Sequence, residues 1–129
     1  QMCIRDSNNI TPLSHWITPN IEAKRFDTRF FIAYLPKNQT ESHDGEELTH
    51  SLWINPKIAL EKAFAGEMPM IMPTIKNLES CLEFFNAKDM LDHQIKLKKE
   101  DIPSILPKFF KENGNWVGLL PGDEGYDDR

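Results

Sequence analysis

Two stretches of the chain have the polar and apolar pattern of β-strands. Phe26–Leu35, FDTRFFIAYL, is aromatic and β-branched. Phe26, Thr28, Phe30, Ile32 and Tyr34 share one face; Phe31, Ala33 and Leu35 share the other with Asp27 and Arg29. Apolar residues on both faces predict a central strand covered on both sides. Pro36 ends it, and Lys37–Gly45 is a polar loop closing on the turn signal Asp44-Gly45. In Glu46–Ile54, Leu48, His50, Leu52 and Ile54 oppose Glu47, Thr49, Ser51 and Trp53, which predicts a second strand and a hairpin with a long loop. Upstream, Asn8–Ser14 has the composition of a loop, and His15–Thr18 predicts a short edge strand stopped by Pro19-Asn20.

The period then changes to that of helices. Asn55 is a good N-cap and Pro56 suits the first helical position, where its missing N–H would have no partner anyway. The helix Pro56–Ala65 places Ile58, Ala59, Leu60, Ala63 and Phe64 toward a core and stops at Gly66. Met68–Met72 is apolar but interrupted by Pro69, so an extended connection is expected. Thr74 caps a second expected helix, in which Ile75, Leu78, Leu82 and Phe85 recur at helical spacing. Asn86 caps a third, Ala87–Lys98, with lysines where the helix dipole favours them. Pro103 and Pro107 flank a short extended run. Lys108–Lys111 and Trp116–Leu120 then surround the hairpin turn signal Glu112-Asn113-Gly114-Asn115.

Composition narrows the class. The chain has 129 residues, 40% hydrophobic and 27% charged, which suits one globular α/β domain. The net charge of -5 argues against a nucleic-acid partner, which requires a basic face to displace counterions. Part of the acidic excess sits in Asp123, Glu124, Asp127 and Asp128, a tail expected to be solvated. Cys3 and Cys81 match no metal or redox spacing, and Cys81 falls on a helical apolar face. No apolar run approaches the roughly 20 residues needed to span a bilayer, so no membrane partner is expected, and the default setting is reducing and cytoplasmic. Gln1–Ser7, QMCIRDS, has no strand or helix period and reads as adaptor or assembly-derived sequence of the kind that marks a metagenomic truncation. The fold is then expected over residues 8–129.

The block RFDTRFF, followed by DGEE, SLWINPKIAL and PTIKNLE, resembles the part of a Nudix hydrolase that comes after its catalytic helix. The branch it resembles includes the peroxisomal coenzyme A diphosphatase-like enzymes, and the closing WVGLLPGDEGY is similar to that branch's C-terminal segment. The resemblance covers roughly Trp16 to Tyr126. It implies a partial Nudix-type α/β/α sandwich with a mixed sheet, truncated on its N-terminal side. It also implies a hydrolase that uses Mg²⁺ or Mn²⁺ to cleave a nucleoside diphosphate linked to another group, perhaps CoA-like or acyl-CoA-like, and it leaves a homodimer open.

The family's box, G-x5-E-x7-R-E-U-x-E-E-x-G-U, is not met. Six positions after Gly45, Gly66, Gly114 and Gly122 stand Ser51, Met72, Leu120 and Asp128. Gly118 has Glu124 at that spacing, but the arginine would fall beyond Arg129, and Gly125 has no room. No catalytic residue and no metal ligand is therefore assigned. The resemblance implies a fragment inactive alone; the alternative is a non-catalytic nucleotide-binding or interaction module.

Five residues are candidates for the substrate wall. Arg25 and Arg29 suit bidentate pairing with phosphate, although Arg29 can equally pair with Asp27, which suits orienting an arginine better than acting as a base. Glu46 and Glu47 can complete a metal site or supply a base in a full enzyme, or simply be solvated. Trp53, like Trp16 and Phe30, can stack on a base or a pantetheine arm, with core packing the plainer expectation. The histidines His15, His43, His50 and His93 show no zinc spacing. No serine-hydrolase elbow, phosphate loop or dinucleotide fingerprint occurs.

Overall fold

A computed structural model describes residues 10–35, 45–46 and 50–129. Its elements run β1 (Ile10–Ile17), β2 (Asp27–Ala33), α1 (Pro56–Phe64), α2 (Met72–Cys81), α3 (Ala87–Gln94), a 3₁₀ turn (Lys99–Asp101), β3 (Ser104–Ile105), β4 (Lys108–Glu112) and β5 (Asn115–Leu119). The architecture is α/β with a mixed sheet, compatible with part of a Nudix-like fold. The chain divides into two compact units, one chiefly Ala33–His93, the other Thr11–Ile32 with Gln94–Arg129.

The first unit is helical. Asn55 Oδ1 accepts from the Lys57 N–H at 2.9 Å and Pro56 opens α1, as the sequence predicts. Gly66, at φ +78°, turns the chain out of the helix while its N–H bonds the Ala63 carbonyl. Ala59 and Leu60 are buried, and α1 packs on α2. Ile58 and Phe64, expected in the core, are exposed. They point off the stripe centred on Ala59 and Leu60.

The second helix starts earlier than expected. Met72 and Pro73 form its first turn, because proline loses nothing at a position whose N–H has no helical partner. Thr74 is thus inside the helix and not its cap. Leu82 and Phe85 lie beyond its end, and Phe85 is 94% exposed. In α3 the cap is as predicted, with Asn86 Oδ1 accepting from the Asp89 N–H at 2.9 Å. That helix stops at Gln94 and not at Lys98; the segment after it turns instead into the 3₁₀ turn at Lys99.

The second unit carries the strands. Among the described residues the sheet order is β2-β1-β3, so β1 is central, not an edge, and β2 is an outer strand, not a covered central one. β1 and β3 are parallel, with His15 opposite Ser104 and Trp16 opposite Ile105. Pro12 is tolerated in a central strand because β3 is short and pairs only with His15 and Trp16. Exposure along β2 alternates strictly, with Thr28, Phe30 and Ile32 turned in. Its second apolar face stays open, and Phe31 is 45% exposed. Trp16 is 4% exposed and its indole N–H donates to Ser14 Oγ at 3.2 Å.

The expected strand Glu46–Ile54 lies partly outside the described residues. Its described part, Glu46 and residues 50–54, has no regular structure. Alternation makes a strand only when one face is buried and a ladder partner is present; here Leu52 and Trp53 are both exposed. The hairpin is as predicted: β4 and β5 are antiparallel, from Lys108 opposite Leu119 to Glu112 opposite Asn115. Asn113 (φ 51°) and Gly114 (φ 83°) supply the two left-handed residues that its tight turn requires.

The acidic tail is not free in solution. Tyr126 Oη donates to the Leu106 carbonyl at 2.7 Å, and Lys108 Nζ donates to the Tyr126 and Arg129 carbonyls at 2.8 and 2.9 Å. Arg129 lies over the Phe110 ring, 3.9 Å from its centre. The four acids stay exposed, as expected, while the hairpin holds the segment through Tyr126, Arg129 and backbone carbonyls.

Candidate ligand-binding site

In the second unit, β1, β2 and the segment Leu97–Ser104 enclose a pocket of about 430 Å³. From β1 and β2, His15, Arg29, Phe30 and Phe31 contribute to its wall, Phe30 from one face of β2 and Arg29 and Phe31 from the other. Leu97, Ile102 and Pro103 add apolar lining, and Lys98 and Lys99 also line the pocket. No carboxylate is among the described lining residues.

The nearby acid is Asp27. Its Oδ1 accepts from His15 Nε2 at 2.6 Å and from Arg29 Nη1 at 3.1 Å. Asp27 therefore orients Arg29, one of the two roles open to that arginine from sequence, while Arg29 also lines the pocket. The pair is solvent-exposed, so it steers the side chain more than it stabilises the fold.

Arg25 has a different place. Its Nε donates to the Thr18 carbonyl at 3.1 Å. Thr18 and Phe26 bond through their backbones at 2.9 Å, and Thr18 Oγ1 accepts from the Phe26 N–H at 2.9 Å. Arg25 thus closes the β1–β2 connection and is not in the pocket lining. Glu46 and Trp53 are exposed and belong to the first unit, and Glu47 lies outside the described residues.

Of the four candidates among the described residues, the pocket gathers Arg29 alone. It also gathers three residues that the sequence reading gave no role: His15, Lys98 and Lys99. The available signal was the run KLKKED ahead of Pro103, a basic pair placed just where a proline forbids further helix. The Asp101 carboxylate accepts from the Lys98 N–H at 2.9 Å and so fixes the turn that carries both lysines.

A divalent cation of the Mg²⁺ type requires several hard oxygen ligands. Among the described residues no three His, Cys, Asp or Glu side chains converge to hold a metal. Asp27 is already shared between His15 and Arg29. The described residues do not fit such an ion, and no step is assigned to one. No helix among them is long and apolar enough to cross a membrane. In the first unit, burial pushes the Cys81 thiol above its usual range.

The second unit thus holds an apolar-walled pocket of a size that suits a small ligand, and the chain is similar in sequence to two curated proteins. It is 29% identical to "Acyl-coenzyme A diphosphatase NUDT19" of Xenopus laevis over 98% of this chain and 36% of that protein. It is 28% identical to the Homo sapiens protein of the same name over 88% of this chain and 31% of that protein. The chain therefore spans about a third of the length of the curated relatives it matches. No protein-family model matches it, and no solved structure does.

Proposed function

We propose that this chain, over residues 8–129, forms the substrate-holding side of a Nudix-type hydrolase that cleaves a nucleoside diphosphate linked to another group. A CoA-like or acyl-CoA-like diphosphate is the first choice. The observation that carries this reading is the position of Arg29, from the RFDTRFF segment, in the wall of a pocket that Lys98 and Lys99 also line. Similarity to two proteins named acyl-coenzyme A diphosphatases supports the choice of ligand. A guanidinium held by Asp27 presents its remaining donors to phosphate oxygens in a fixed fork. The Mg²⁺ or Mn²⁺ chemistry of such an enzyme belongs to a glutamate box that this sequence does not contain. The chain alone binds its ligand and does not turn it over.

Titration calorimetry of the purified chain with CoA, ADP-ribose and NADH tests the reading. Saturable heat with at least one of them is expected, with affinity reduced about tenfold in Arg29→Ala, the size expected when a charged hydrogen bond is lost. No heat with any of the three would leave a plain interaction domain. Magnesium-dependent hydrolysis by the chain itself would overturn its assignment as inactive. The lack of a converging metal set among the described residues favours one second reading, a module that binds nucleotides without cleaving them. The two part when the gene upstream of Asn8 is read for an in-frame Nudix box.

A further inference from the structure

Three adjacent strands of the second unit carry one polar row. His15 lies opposite Ser104 across the β1–β3 pairing. Residues paired in this way stand about 4.8 Å apart across the sheet and point to the same face. On the other flank His15 Nε2 meets Asp27 Oδ1 at 2.6 Å, so Asp27 of β2 belongs to that face as well. Arg29 and Phe31 follow Asp27 along it, because β2 alternates. Asp27, His15 and Ser104 thus run in order across β2, β1 and β3.

The chemistry of the row follows from which atoms already have partners. An ionised carboxylate only accepts, so the proton of a neutral His15 sits on Nε2 and Nδ1 is a lone-pair acceptor. Neither Nδ1 nor Ser104 Oγ has a hydrogen-bond partner among the described residues. His15 and Ser104 both line the pocket of about 430 Å³, with apolar lining from Phe31, Leu97 and Ile102. Arg29 lines it too and keeps N–H donors beyond the one given to Asp27. An acceptor nitrogen held by a carboxylate and set beside a hydroxyl is the arrangement that activates a serine. Such a constellation is defined by geometry and roles, so the lack of a nucleophile elbow in the sequence does not exclude it.

We propose that Ser104 is a nucleophile that takes the acyl group of a carboxylic ester with a short apolar chain, with His15 as its base and Asp27 as the positioning residue. Ser104 Oγ attacks the ester carbonyl and gives its proton to His15 Nδ1, while Arg29 meets the charge that develops on the carbonyl oxygen. The bond to the leaving alkoxide breaks, and the alkoxide takes the proton from Nδ1. Water then attacks the acyl group by the same route, restores the Ser104 hydroxyl and releases the acid. The bond cut joins acyl carbon to oxygen, so the inference goes beyond the diphosphate reading and does not rest on it.

The test is to incubate the full chain with an alkyl fluorophosphonate, from which a serine oxygen displaces fluoride and stays bound to phosphorus. The adduct is read by intact mass and peptide mapping. One adduct per chain is expected, on Ser104, and Ser104→Ala should abolish it. His15→Gln should slow labelling by on the order of a hundredfold, the size of a general-base contribution. Asp27→Asn should slow it too, because an amide can donate to Nε2 and move the ring proton to Nδ1. Ser80→Ala, in the first unit, should leave the rate unchanged. Release of nitrophenol from p-nitrophenyl butyrate should fall in the same order. No adduct, an adduct on another residue, or undiminished labelling of the two folded variants would overturn the proposal. Should His15→Gln fail to fold, Asp27→Asn, whose side chain is exposed, carries the comparison. Calorimetry with nucleotides is a separate readout, so either reading can fail alone.

Discussion

Lys108 shows how much one side chain can change the role of a segment. Its ammonium group meets two tail carbonyls and sits 4.1 Å from the centre of the Tyr126 ring. Tyr126 in turn reaches the Leu106 carbonyl. Tyr126→Phe removes one part-buried hydrogen bond and leaves that carbonyl short of a donor. A loss of about 1 kcal/mol is expected, read as a lower midpoint in thermal unfolding by circular dichroism. An unchanged midpoint would mean that the tail contributes nothing to the fold. Cys81 carries a second prediction. Its raised pKa lowers the thiolate fraction at any given pH, and the thiolate is the nucleophile. Peptide-resolved alkylation at mildly alkaline pH should label Cys81 more slowly in the native chain than in urea. The sign for stability follows: the buried thiol favours the protonated form, so its contribution is complete below the ordinary thiol range and is lost as pH rises through the folded pKa. Sequence alone placed Cys81 on a helical apolar face as a small core residue, and the structure leaves it half-buried; the tail's contacts were beyond sequence, because Lys108 and Tyr126 meet only after the chain has turned back.

Elements with local stop and start signals were legible. The start of α1 and the β4–β5 turn follow from Asn55-Pro56 and Asn113-Gly114, whose side chains and backbone preferences act within a few residues. Asn55→Ala should therefore cost about 1 kcal/mol through the lost cap. The hairpin also has a close approach that no local rule gives. Gly118 stands opposite Phe109, and a Cβ there would lie 2.6 Å from the Phe109 ring. Gly118→Val must displace that ring, and about 1–3 kcal/mol of overpacking is expected, read as a lower urea midpoint. A variant as stable as the parent would show that the ring moves aside freely. What failed was strand rank. The apolar faces of β2 suggested a centre, yet among the described residues β1 has partners on both sides and β2 does not. Strand order depends on which segments meet, and periodicity carries no record of it. The candidate site divides in the same way. Arg29 was legible because its segment is distinctive; Lys98 and Lys99 were not, because they reach the pocket only through the end of α3 and the turn after it.

Charge acts across the whole molecule. A chain of net charge -5 that lines one pocket with Arg29, Lys98 and Lys99 should bind an anionic ligand with strong salt dependence. CoA affinity is expected to fall several-fold between 50 and 500 mM salt, by order-of-magnitude screening, and to fall less in Arg29→Ala. A salt-independent affinity would place the binding on apolar contacts instead. Composition and periodicity were sufficient for the α/β class, the three helices and the closing hairpin, because caps, turns and amphipathic faces are written within a few residues of one another; the RFDTRFF motif carried the resemblance separately. The central place of β1, the irregular course of residues 50–54, the fastening of the tail and the meeting of Arg29 with Lys98 and Lys99 depended on contacts between segments far apart in the chain. Those contacts are set by which surfaces can be buried together, a property of the folded chain that no short window of sequence contains.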